Sequence, residues 1–362
     1  MHTPSVAYVP VRPALEAGAI SYLRRNPFSS LITAALIASF VYLACRLFEW
    51  AVVNAIWSPA HPELCGPDRQ GACWAVIAAR WRLIMFGLYP FEEQWRSAIS
   101  SAIVLGTVAL SCFPVMWHAK KLLALWIISF AAFNWLMSGG ILGLSYVPTR
   151  MWGGLSLTLY VFAFVCIVMM PTAVVLALLK RSKMPLIAFP VTWVIDFLRS
   201  LPLLVVLFFA AVVLPFGLPD WMAGEKLYRV IVAFAFYNAC YQAEVIRAGI
   251  ESLPKGQEEA AKALGLGYFA IYGRVILPQA FRVTLPATIN QVVIVFLETA
   301  LIVIIGFFDI LASGNAAFGT AQWGTTSTEV YLFVGGIFFA CCLSLSKYGA
   351  YLEGRLAKRQ SR

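Results

Sequence analysis

Polar residues fall in short clusters along this chain. The runs between them are apolar for about 20 residues, enough helix to cross a bilayer core. Eight such runs lie near Leu31–Val53, Ala98–Trp117, Leu122–Leu142, Leu155–Leu179, Ile187–Leu214, Tyr228–Val245, Leu285–Ile305 and Tyr331–Tyr351. The fifth is too long for one crossing, and its first part, Ile187–Ser200, carries Asp196 and Arg199. That part predicts a helix lying in the membrane interface, with the crossing starting near Pro202. The whole pattern predicts an all-α polytopic membrane protein with about eight transmembrane helices.

Composition agrees: 61% of residues are hydrophobic and 12% charged, a balance that excludes an ordinary soluble domain. A formal net charge of +10 would suit nucleic acid, but the cations sit where topology and anionic headgroups account for them. The expected partner is therefore membrane lipid and not nucleic acid. Arg24 and Arg25 precede the first span, Lys120 and Lys121 join the second to the third, and Lys180, Arg181 and Lys183 follow the fourth. Lys255, Lys262, Arg274 and Arg282 lie between the sixth and seventh spans, and Arg355, Lys358 and Arg359 are in the tail. These alternate as cytoplasmic segments do, placing both termini inside. Leu311–Thr328 has no Lys or Arg and falls outside. The first external loop, with Arg69, Arg80, Arg82 and Arg96, departs from the rule, as long loops do. The first apolar run is too long for a cleaved signal and no small-x-small site follows it, so an anchored start is expected.

Cys45, Cys112, Cys166, Cys240, Cys341 and Cys342 lie in apolar runs and read as small core residues. Cys65 and Cys73 share the external loop, where an oxidising periplasm permits a disulfide. His2, His61 and His118 are scattered, so no metal site is expected. Pro148, Gly153 and Gly154 interrupt the pattern and predict a boundary, with residues 1–148 holding three spans and 149–362 holding five.

The most informative stretch is the polar loop at about 250–284. It contains Glu259-Ala260-Ala261, three residues, Gly265, nine residues, Val275, one residue, then Leu277-Pro278. This resembles the coupling-loop signature of ABC importer permeases, with Val275 where Ile is usual. Asp196 to Leu204 resembles the acidic-x-x-Arg-x-x-Pro-Leu-Leu elbow of the polar amino-acid subfamily, and Ser156-Leu157-Thr158-Leu159 its first core span. Cys73-Trp74 through Trp95-Arg96 is similar to the extension of general L-amino-acid permeases. The resemblance implies a type I importer-like five-helix core at the C-terminus.

Glu258 and Glu259 fall in the first turn of a short helix, where acids suit the positive end of the helix dipole. Ala260, Ala261, Ala263 and Leu264 give it a low-relief apolar surface. Gly265 suits a left-handed position just past its end. A second helix should carry Phe269, Tyr272 and Ile276 on one side and stop before Pro278. With Gln257 and Leu277, these residues form the expected ATPase-coupling site.

Glu298 lies roughly 18 Å into the membrane at 1.5 Å per residue from Pro286. Ionisable groups at that depth are costly and usually functional. It begins Glu298-Thr299-Ala300-Leu301, where the family commonly has Asp-Thr-Ser-Leu after a Lys. A substrate-facing carboxylate and a carboxylate bonded to a neighbouring helix are both open. Asn238, Gln242 and Asn290 could line the same pathway or bond between helices. Asp196 and Arg199, with Pro202, suit either an i, i+3 ion pair or a gating elbow. Glu244 and Arg247 repeat that spacing, and Trp152, Trp221 and Trp323 read as membrane-belt residues. Trp74–Tyr89 reads as an interfacial helix or a packed cap.

No G-x-x-x-x-G-K-[ST] pattern occurs, so this chain binds no cofactor of its own, and ATP with Mg is expected on a partner. The resemblance implies the permease subunit of an L-amino-acid importer in the bacterial inner membrane, which catalyses no covalent chemistry. Its implied partners are a homologous second permease, two ATPase subunits and a periplasmic amino-acid-binding protein. The rival is an ion-coupled secondary transporter, which predicts inverted repeats and broken midplane helices that the sequence does not display.

Overall fold

The computed structural model describes residues 27–360, so Arg24, Arg25 and His2 lie outside the described residues. Helices dominate, and they group into two units that divide between Ala75 and Val76. The first unit holds α1 (Pro27–Phe48), extended by a wide turn Glu49–Val53, and a loop closed by a Cys65–Cys73 disulfide. Within that loop Arg69 Nη1 donates to the Cys65 carbonyl at 3.1 Å.

The second unit begins with α2 (Ala75–Phe86), α3 (Gln94–Ser111) and α4 (Ala119–Ser138). It continues through α5 (Gly154–Lys180), α6 (Pro185–Ser200), α7 (Leu203–Gly217) and α8 (Lys226–Glu251). After a polar loop that holds α9 (Gly256–Ala263) and α10 (Tyr268–Ala270 through Leu277–Val283) come α11 (Leu285–Glu298), α12 (Ile310–Phe318) and α13 (Ser327–Gln360).

Among the described residues, five helices are long and apolar enough to cross a membrane, or six if the pair α6 and α7 counts as one span. That pair bends by 106° at Leu201–Pro202, where the interfacial helix was expected to give way to the crossing. Helices α3 and α8 occupy the second and sixth predicted positions but carry more polar side chains, most of them buried in α3 and only Asn238, Gln242 and Tyr237 buried in α8. The second run ends at Ser111 and not Trp117, because Pro114 cannot continue a helix and restricts Phe113 before it. The third ends at Ser138, where Gly139 turns left-handed.

The expected boundary at 148/149 falls inside the second unit. Helices α3 and α4 pack into the second unit, with Ser97 Oγ donating to Ser156 Oγ at 2.8 Å and Phe133 stacked on Tyr160 at 4.5 Å. Arg96 is wholly buried and donates to the Leu136 carbonyl at 2.5 Å and the Ser145 carbonyl at 3.0 Å. It thereby satisfies the end of α4, where carbonyls have no partner within the helix.

Trp152 and Trp323 are only 1% and 2% exposed, so they are core residues and not belt residues. Trp221, at 83%, is open. The segment Leu311–Thr328 is not a plain loop either. Its first half is α12, started by Asp309, whose side chain accepts from the Ala312 amide at 2.9 Å.

At the far end of α5 from Lys180, three segments cross without side chains between them. Gly153 and Gly154 bridge in parallel to Phe308 and Asp309, and Gly87 lies against Gly153. A Cβ on Gly87 would stand 2.7 Å from the Gly153 Cα, and one on Gly153 would stand 2.7 Å from the Phe308 carbonyl oxygen. Any larger residue there forces backbone apart.

Candidate functional site

The 250–284 loop folds into two helices. The first, α9, spans Gly256–Ala263, with Glu258 and Glu259 in its first turn. Its end is a double closure: the Gly265 amide bonds the Lys262 carbonyl at 2.9 Å, and the Leu266 amide reaches back to the Ala261 carbonyl at 3.2 Å. That geometry requires a left-handed residue at Gly265, whose φ is +73°. Ala261 is buried, so it anchors the helix and is not part of its outer surface, while Ala260, Ala263 and Leu264 are exposed.

The second helix, α10, starts at Tyr268–Ala270, widens into a π-helical stretch Ile271–Ile276 and resumes as Leu277–Val283. It therefore runs through Pro278 and does not stop before it. A proline lacks its amide proton and its ring crowds the carbonyl four residues back; a π stretch just upstream shifts that carbonyl out of α register. Tyr272 and Ile276 are buried, but Phe269 is 88% exposed, so the three do not share a face. Gln279 Nε2 donates to Gln257 Oε1 at 3.3 Å and to the Val275 carbonyl at 2.8 Å, tying the two helices together. Leu277 is half-buried and Pro278 is exposed. The outer surface thus presents Gln257, Glu259, Ala260, Leu264 and Phe269 around the Gly265 turn.

Lys262 Nζ meets Glu258 Oε1 at 2.6 Å along α9. The Lys262 ammonium holds the Glu258 carboxyl below its ordinary range, and Glu258 in turn raises the lysine.

A charge network ties together α5, α6 and α8, the helix that leads into this loop. Lys180 Nζ, at the end of α5, contacts Glu244 of α8 at 2.7 Å and Asp196 of α6 at 3.3 Å. Glu244 pairs with Arg247 at 2.9 Å, Arg247 with Glu251 at 2.6 Å, and Arg181 with Glu251 at 3.5 Å. Asp196 thus bonds to Lys180 and not to Arg199. Arg199 instead lies over the Tyr241 ring, 5.2 Å from its centre. Asp196 and Arg199 both lie on α6 before the bend, and Pro202 stands at that bend.

A polar cluster lies between α8 and α11. Asn238 Nδ2 donates to Glu298 Oε2 at 3.1 Å, and Gln291 Nε2 donates to Asn238 Oδ1 at 2.7 Å. Gln242 Nε2 donates to Thr288 Oγ1 at 2.9 Å, leaving Gln242 Oε1 buried without a hydrogen-bond partner. Glu298 and Asn238 therefore come together and Gln242 makes a separate bond between the same two helices, whereas Thr299 is buried and bonds its own helix at Phe296. Lys180, Thr288, Gln291 and Glu251 also belong to these networks. The signal for two of them was a polar stripe: Thr288, Gln291 and Glu298 recur at three- and seven-residue intervals, one face of a helix. Among the described residues no cluster of three or more His, Cys, Asp or Glu could hold a metal.

A helix pair bent by 106° in a bundle of long apolar helices, with a two-helix polar loop beside it, defines a polytopic all-α membrane protein. The family of binding-protein-dependent transport system inner membrane components matches residues 169–358, and the chain belongs to that family. It is 37% identical to the inner membrane amino-acid ABC transporter permease protein YhdY of Escherichia coli (strain K12), over 96% of both chains. It is 30% identical to the glutamate/glutamine/aspartate/asparagine transport system permease protein BztC of Rhodobacter capsulatus, over 96% of this chain and 95% of that one. A shorter relative, the glutamate/aspartate import permease protein GltK of Escherichia coli O6:H1, is 30% identical over 56% of this chain and 92% of its own.

Proposed function

We propose that this chain is a permease subunit of an ATP-driven importer that carries L-amino acids across the bacterial inner membrane by alternating access. The α9–α10 loop is its contact with a separate ATPase subunit that holds the ATP and Mg. A second homologous permease and a periplasmic amino-acid-binding protein complete the assembly, and both termini are cytoplasmic. The amino-acid substrate class rests on relatives whose names state it and whose match runs almost end to end.

The observation that carries the coupling role is the closure of α9 at Gly265. A helix of eight residues is marginal in water. This one is pinned at its inner face by Ala261 and presents Leu264, 80% exposed, beside a Gly-only turn. Exposed apolar residues on a short, fixed helix suit a protein groove.

The test is Gly265→Val. No atom lies within 4 Å of a Cβ at this position, so the cost to the isolated chain is the left-handed backbone alone, about 1–2 kcal/mol. Membrane abundance should stay normal, while ATPase co-purification weakens and amino-acid uptake is lost. Full uptake with a normally bound ATPase would sink the coupling assignment.

A further inference from the structure

One cleft lies at the membrane-side end of the loop, away from the polar cluster. It has a volume of about 450 Å³, within the range of about 300–1,000 Å³ usual for small-molecule sites. Its walls come from the α3–α4 turn, the α10–α11 junction and the last turns of α13, and they are apolar except at one end. Trp117, Leu122, Trp126 and Leu352 form much of the apolar surface, and Arg282 and Arg355 supply its cations, with no acid in the lining.

The two arginines are not spent elsewhere in the way the buried ones are. Arg355 lies over the Trp117 ring at 5.4 Å, and its Nη1 is buried without a hydrogen-bond acceptor among the described residues. A buried guanidinium nitrogen is expensive to leave unmatched, and its planar donor fork suits a phosphate. Arg282 flanks the same space from the end of α10, and His118, Lys120 and Lys121 follow Trp117 in the adjoining turn. Tryptophan beside cations at the ends of apolar helices marks the level of lipid headgroups.

We propose that this cleft binds the headgroup phosphate of an anionic phospholipid from the leaflet nearest the 250–284 loop. Arg282 and Arg355 take the phosphate oxygens, and the acyl chains run down the apolar wall of Leu122, Trp126 and Leu352. Charge complementarity and the continuous apolar wall favour a lipid over a soluble anion, which would leave that wall wet.

The test is native mass spectrometry of the purified full chain, titrated with phosphatidylglycerol or phosphatidylcholine. The wild type should retain phosphatidylglycerol preferentially, and Arg282→Gln with Arg355→Gln should reduce that retention about tenfold. Arg282→Lys with Arg355→Lys keeps the charge but not the planar fork and should retain more than the glutamine pair and less than wild type. Leu352→Trp, which fills the cleft and leaves both cations, should lose it, so the proposal stays testable if the glutamine pair misfolds. Equal retention of the two lipids by wild type, or undiminished retention in the glutamine pair or in Leu352→Trp, would overturn the site. So would displacement of the lipid by millimolar inorganic phosphate, or a change in oligomer mass in place of lipid loss.

Discussion

Glu298 has a neutral partner, the Asn238 amide. Glu298→Gln keeps an oxygen that can accept from Asn238 and removes only the charge. Under the proposed import function, uptake of several amino acids should fall at least about tenfold with normal membrane abundance, since intramembrane acids are costly and functional. Unchanged uptake would reduce Glu298 to an interhelical bond. The Glu258–Lys262 pair sets a pH window. A carboxyl held below its ordinary range stabilises the fold above that range and stops doing so as pH falls through the lowered value. A raised lysine contributes below its ordinary range and stops as pH rises past the raised one. The α9 amides, followed by hydrogen exchange corrected for intrinsic rate, should therefore be protected evenly near neutrality and lose protection on acidification. In Glu258→Gln that acid step should vanish, and its persistence would assign the step to another group. Gly265 was readable in sequence because a helix end needing φ > 0 admits few residues. The burial of Ala261 was not, because adjacent alanines have the same chemistry and only the docked helix decides which one faces inward.

The π stretch in α10 sets how the loop faces the bundle. It holds Tyr272 and Ile276 inward and leaves Phe269 outward. Deleting Gly273, which has open space around it, should restore ordinary α winding and turn the start of α10 by about 100° relative to Leu277–Val283. It would also return the carbonyl four residues back to the Pro278 ring. We expect weakened ATPase co-purification and lost uptake in this deletion, whereas Gly273→Ala should transport normally. Normal transport by the deletion would show that the winding is incidental. The helix was legible up to the proline, and the widening that carries it through was not, because proline usually ends such a pattern. The same limit hid α12: a nine-residue apolar run between small residues reads as loop until Asp309 is seen capping it.

At the scale of the molecule, three of the four arginines that depart from the positive-inside rule are held by structure. Arg69 bonds inside the disulfide loop, Arg82 lies 3.8 Å from the centre of the Phe91 ring, and Arg96 closes the end of α4. The order of the apolar runs was legible in the sequence, whereas the packing of α3 and α4 against α5 was not, because its buried serine and aromatic contacts leave no charge pattern. The break at Gly153–Gly154 looks like a linker in sequence, yet Trp152 and Tyr160 beside it are buried with Phe133. A chain starting at residue 149 should therefore fail to accumulate as a monodisperse species. Uncovering these aromatics and stranding Ser156 sets several kcal/mol against a typical total of about 5–15 kcal/mol. A chain starting at residue 76 should purify normally. Equal melting midpoints for the two truncations would show that the segment from residue 149 is stable on its own.

The glycine crossing also imposes a timetable. Its strands are written far apart in the gene: Gly87 and Gly153–Gly154 emerge early, but Phe308–Asp309 follow roughly 150 residues later, on the order of 8–30 s at ordinary synthesis rates of about 5–20 residues per second. For that interval the nascent bundle waits in the membrane with one end unsealed, open to quality-control proteases. Slow codons between the two halves should lengthen this exposure and lower yield without changing a single residue of the finished chain.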